Sequence, residues 1–142
     1  MKITDLAPQG IFHYFNEICK VPRPSKKEEK ILSYLKKFAD DHQLEWKQDN
    51  IGNILIKKNA TAGKENLKTV ILQSHVDMVC EKNRDVKHNF DVDPIIPVVD
   101  GEWLKAQGTT LGADNGIGVA TQLAVLADGE IEHGPIECLF TV

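Results

Sequence analysis

The chain predicts an α/β fold, with helices layered on a sheet that is at least partly parallel or mixed. Three features carry that expectation. Two early stretches repeat their apolar residues at helical spacing, and from Leu44 the spacing changes to alternation. A β-branched run, Thr69–Ser74, then precedes another helical stretch and a strand-like segment, Ile136–Val142.

The elements follow in order. From about Gln9 to Cys19, the residues Ile11, Phe12, Phe15, Ile18 and Cys19 fall on one helical face. Val21-Pro22-Arg23-Pro24 ends that helix, because proline lacks a donor and biases its predecessor away from helical torsions. Ser25-Lys26-Lys27-Glu28 fits a capping box opening a second helix, whose stripe is Ile31, Leu32, Leu35, Phe38 and Ala39. Leu44–Lys47 and Ile51–Ile56 read as strands around an Asp49-Asn50 turn. Thr69–Ser74 is apolar enough for a strand covered on both faces. An irregular stretch runs to about Pro97. Asn115–Ala127 is a helix that Asp128-Gly129 would stop. Trp46 and Trp103 are expected to be core or packing residues.

A chain of 142 residues is one domain's worth and buries roughly two-thirds of its unfolded surface. Its net charge of -4 argues against nucleic-acid or membrane partners, which call for a basic patch. No apolar run reaches the roughly 20 residues of a membrane helix, and the first residues lack the apolar core of a signal peptide. Cys19, Cys80 and Cys138 are odd in number and widely spaced, as expected of reduced thiols in a cytoplasmic protein.

Two motifs can carry chemistry. The first is Ser74-His75-Val76-Asp77-Met78-Val79, at the carboxyl end of the apolar strand, where α/β sheets collect ligands. Residues two apart on a strand share a face. Asp77 can therefore join His75 as a co-ligand, or accept its second ring N–H and fix the tautomer. A plain histidine–aspartate hydrogen bond with no further role also fits. The second is the glycine-rich Gly108–Gly118 loop leading into a helix. It matches neither phosphate-binding glycine pattern, and Asp114 would repel a phosphate unless a cation intervened. Glycines that bend the backbone can instead present the Asp114 carboxylate to one metal or to two. A simple helix cap is the other reading. His13, His42, His88 and His133 are expected to be surface, packing or loop residues, and Cys80 has no histidine partner placed by the sequence.

Taken together, His75-Val76-Asp77 and Gly112-Ala113-Asp114-Asn115-Gly116-Ile117-Gly118 resemble the metallopeptidase family of carnosinase-type dipeptidases. Gln73–Val79, Asp93-Pro94-Ile95, Gly108–Ala120, His133-Gly134-Pro135 and Val21-Pro22-Arg23-Pro24-Ser25 extend the resemblance to its aminoacyl-histidine dipeptidase branch, family M20, over essentially the whole chain. The resemblance implies the N-terminal part of an α/β/α catalytic domain, without the inserted lid and dimerisation domain. It implies two zinc ions, or cobalt or manganese, with His75 on one ion, Asp114 bridging both, Asp77 supporting His75 as a catalytic carboxylate, and a cis Asp114–Asn115 peptide. It implies hydrolysis of Xaa-His dipeptides in the cytoplasm by a protein that forms a homodimer when complete. A tripeptidase, a deacylase or a non-catalytic binding module on the same scaffold are the alternatives.

In that family the strand resembling Leu139–Val142 leads into an acidic cluster that supplies the general base and a further ligand. The expectation is therefore a sheet truncated before completion, weak zinc binding and no useful turnover by these residues alone.

Overall fold

A computed structural model describes residues 1–142, all of the chain. After a short 3₁₀ turn at Ile3–Asp5 come helices α1 (Gln9–Cys19) and α2 (Glu29–Asp41), then strands β1 (Glu45–Gln48), β2 (Ile54–Lys58) and β3 (Val70–His75). The hairpin β4 (Pro97–Asp100) and β5 (Trp103–Ala106) precedes α3 (Ala113–Ala127) and β6 (Ile136–Thr141). The main sheet has the order β1-β2-β6-β3. Its first three strands are antiparallel, and β3 runs parallel to β6, so the sheet is mixed as expected.

The register explains the core. Ile54 lies beside Phe140 and Ile56 beside Cys138, and these residues with Ile136 present one buried face. The helices cover that face, adding Phe15 and Ile18 from α1, Ile31 and Leu35 from α2, and Val119 and Leu123 from α3. Burying each of the larger side chains contributes about 1.5–3 kcal/mol. On the opposite face, Glu45, Lys57 and Glu137 form a row of charges across β1, β2 and β6. No helix of the chain is long and apolar enough to cross a membrane.

Several local expectations are corrected. Ser25 does not cap α2, which starts only at Glu29. Lys26 takes a left-handed φ of 67°, Glu28 accepts the Lys26 N–H, and the Ser25 hydroxyl turns toward Asp77 instead. The second strand begins at Ile54, because Asp49 Oδ1 gathers the backbone N–H groups of Ile51, Gly52 and Asn53 into a turn. Strand β3 is not covered on both faces: it is the sheet's edge, with Val70 and Ile71 exposed. Trp103 stands out from the unforeseen β4–β5 hairpin at 70% exposure and is no core residue. Trp46 does pack on the core and donates its indole N–H to Asp40.

Candidate metal centre

Strand β3 delivers His75 at its carboxyl end, beside Thr141 of β6. The strand is held to α3 by Gln122, a buried residue that accepts the Ser74 hydroxyl and donates to the Leu72 and Leu139 carbonyls at 3.0 and 3.3 Å. Asp114 arrives from the other side, in the first turn of α3. Its torsions and those of Asn115 depart from helical values, and the peptide between them is cis. Gly112 precedes them at φ 72°, in the left-handed region, and a Cβ there would meet Arg23 Nη2 at 2.6 Å and Met78 Sδ at 2.7 Å. Only glycine satisfies both the torsion and the space.

The two motifs converge. His75 Nε2 lies 3.0 Å from Asp114 Oδ1, and His75 Nδ1 lies 2.9 Å from Asp77 Oδ1. The second oxygen of Asp77 accepts the Ser25 hydroxyl. Burial opposes charge on His75, but hydrogen bonds to Asp114 and Asp77 and their negative charges outweigh it and raise the imidazole pKa. Burial likewise works against the charge on Asp77, yet the Ser25 hydroxyl and the His75 ring hold its carboxyl below the ordinary range. The Asp114 side chain is 96% exposed. A depression of about 310 Å³ opens beside it, lined by Val79, Thr110, Leu111, Gly112 and Ala113.

These donors fit a zinc ion in kind. Zinc takes imidazole nitrogen and carboxylate oxygen at about 2.0–2.2 Å, so a tetrahedral ion shared by two such donors separates them by roughly 3.4 Å. The pair stands at 3.0 Å, and the exposed Asp114 side chain can supply the remaining few tenths of an ångström. They do not fit in number: no three histidine, cysteine, aspartate or glutamate side chains of the chain converge on a metal position. Asp77 is directed to the far ring nitrogen and is no co-ligand in this arrangement.

The remaining histidines stay apart. His42 bonds the Phe38 carbonyl, His13 and His88 pack edge-on against Tyr14 and Phe90, and His133 bonds the Gly134 carbonyl. Burial pushes the Cys80 thiol above its ordinary pKa, and pushes the Cys19 thiol up to about 11. Neither is poised as a thiolate. What the sequence reading did not bring to the site is Arg23 and Ser25, which reach it from the Pro-rich segment between α1 and α2.

No protein-family model matches the chain. Over 141 residues it is 52% identical to the cytosol non-specific dipeptidase of Escherichia coli, covering 99% of this chain and 29% of that protein. The crystal structure of aminoacylhistidine dipeptidase from Vibrio alginolyticus matches with a TM-score of 0.97 and 51% identity, over 100% of this chain and 29% of that one. Over its whole length this chain is similar to part of those dipeptidases. The resemblance read from the two motifs thus extends over the whole chain, which spans under a third of the length of the proteins it matches. A tripeptidase from Staphylococcus aureus shares the fold more distantly, with a TM-score of 0.74 and 26% identity over 94% of this chain and 36% of that one.

Proposed function

We propose that this chain contributes one part of the metal site of a zinc dipeptidase that cleaves Xaa-His dipeptides. The observation that carries the reading is the convergence of His75 Nε2 and Asp114 Oδ1 at 3.0 Å from motifs distant in sequence. Dipeptide hydrolysis is supported by the names of the relatives. The tripeptidase is a weaker guide at half the identity.

In this reading His75, through Nε2, and the Asp114 carboxylate would hold the metal. Asp77 accepts the Nδ1 proton, which fixes the tautomer that leaves Nε2 free as a ligand and makes the ring a better donor. Ser25, bonded to the other Asp77 oxygen, stops that carboxylate from rotating away. Zinc, or cobalt or manganese in its place, would supply an acidified water and a polarised scissile carbonyl. The depression beside Asp114 gives the substrate room next to the metal-facing oxygens. No side chain of this chain is assigned the general-base role. A location in the cytoplasm is supported by the word cytosol in the name of the relative.

A catalytic zinc takes about three protein ligands, and two converge here. The chain by itself is therefore expected to bind zinc weakly and to hydrolyse nothing at a useful rate. Calorimetric zinc titration of the chain, of His75→Gln and of Asp114→Asn tests this. Weak binding that both substitutions abolish is the expected result. Zinc binding unchanged in Asp114→Asn would remove the basis of the assignment, and metal-dependent dipeptide cleavage by the chain alone would show that the site is complete.

A further inference from the structure

Arg23 is a buried cation, 2% exposed, with no carboxylate in hydrogen-bond contact. Its guanidinium lies between the turn after β3 and the loop before α3. Nη1 donates to the carbonyls of Val76 at 3.0 Å and Asp77 at 3.3 Å, while Nη2 donates to the carbonyl of Gly112 at 2.7 Å. Nε is buried and has no partner. The backbone reinforces the first contact, since the Met78 N–H donates to the Arg23 carbonyl at 3.0 Å and Pro24 bridges to Met78. The loop before α3 is shaped around the group: a Cβ on Gly112 or Gly116 would come within 2.6 Å of Nη2.

Burying a charge with no carboxylate bonded to it is costly, even with the Asp77 charge nearby, and an apolar side chain would fill the same volume without that cost. What an apolar residue cannot do is hold carbonyls of two separate loops at a fixed spacing. A planar guanidinium with its donors in a rigid fork can, and a lysine ammonium, a single point, reaches them poorly. One arm bonds the residues that follow His75 and the other bonds the residue two before Asp114.

We propose that Arg23 is a positioning residue that sets the separation between His75 Nε2 and the Asp114 carboxylate by bridging their two loops. Its neighbour Ser25 fixes the outer oxygen of Asp77 from the same segment. The inference rests on the metal-site reading for its purpose, but its geometric content can be measured without metal.

The test compares the chain with Arg23→Met, close in length but uncharged, and Arg23→Lys, which keeps the charge and loses the fork. Long-range proton–nitrogen NMR of His75, at a pH where the ring is neutral, reports its tautomer, and zinc titration reports affinity. In the unaltered, metal-free chain each ring nitrogen faces a carboxylate oxygen, Asp77 at 2.9 Å and Asp114 at 3.0 Å, so both neutral tautomers should be populated. In each folded variant Asp114 should draw away from Nε2, so the ring should move toward the Nδ1–H form held by Asp77, and zinc affinity should fall about tenfold or more. A folded variant that keeps both the tautomer and the affinity overturns the proposal. Failure of Arg23→Met to fold leaves Arg23→Lys to decide, and if that also unfolds, Arg23 belongs to the fold alone and the proposal fails. If the unaltered chain ignores zinc, the metal-site reading fails while the tautomer still decides the positioning role.

Discussion

Gln122→Leu should lower stability by about 3 kcal/mol, a large effect for one buried polar residue. Gln122 is 3% exposed and sits between α3 and the sheet, with three hydrogen bonds to Ser74, Leu72 and Leu139. Each is worth about 1 kcal/mol net, and stranding the Ser74 hydroxyl, itself 2% exposed, costs about 1–3 kcal/mol more. Leucine returns part of this through apolar burial, roughly 1–2 kcal/mol. For a chain this size the loss corresponds to a fall in Tm of about 10 °C. Urea unfolding should show the midpoint shifting at constant slope. The decisive comparison is the cycle with Ser74→Ala. Removing both partners leaves no orphaned hydroxyl, so the double variant should be more stable than additivity predicts by about 1 kcal/mol or more. Gln122→Leu within about 0.5 kcal/mol of the parent, or an additive cycle, would refute the idea that this side chain ties α3 to the strand bearing His75.

Other outcomes follow from single features. Gly112→Ala should destabilise by about 2–4 kcal/mol, since it combines a left-handed φ with a Cβ driven into Arg23 and Met78; thermal melts check this. Lys58→Met should cost about 1 kcal/mol, because Lys58 Nζ donates to the Val125 carbonyl at 2.9 Å and to that of Asp128 at the carboxyl end of α3. Faster amide exchange in the last turn of α3 is the local sign of that loss. The Asn53 side chain and the backbone N–H groups of Gly52, Asn53 and Ile51 hold the Asp49 carboxyl below its ordinary pKa. The stabilisation is present above the ordinary carboxylate range and lost as pH falls through the lowered value. The protection factors of the Ile51–Asn53 amides should therefore be lower in Asp49→Ala at neutral pH, and in the unaltered chain should fall only on acidification, with pH-independent protection as the contrary result.

The helices were legible wherever one apolar stripe decided their position. Ile31, Leu35, Phe38 and Ala39 are all buried as the stripe of α2 requires. Starts and ends were less legible, because caps depend on what else a side chain can reach. Ser25 has the right spacing for a capping box, yet Asp77, far along the sequence, captures its hydroxyl. The strand start at Ile51 was misread because Asp49 offers three amides a better acceptor than a sheet neighbour would. Val70 and Ile71 read as covered on both faces, since composition reports what a strand is suited to and not how many neighbours it has in this chain.

At the site, neither motif was decisive alone, for a physical reason. A histidine and an aspartate two residues apart will share a hydrogen bond whether or not a metal is near, and an aspartate at a helix start will serve as a cap. What separates the readings is where the free ends point. Asp77 takes Nδ1 and turns Nε2 outward, and Asp114, instead of capping α3 with its side chain, presents an almost fully exposed carboxylate to that nitrogen. An arrangement that only satisfied local hydrogen bonds would have no need to draw the two loops together. Arg23 does so at the expense of a buried charge. The loops could be found by reading along the chain, but the residue between them could not, because an arginine flanked by prolines carries no local mark of the carbonyls it will meet.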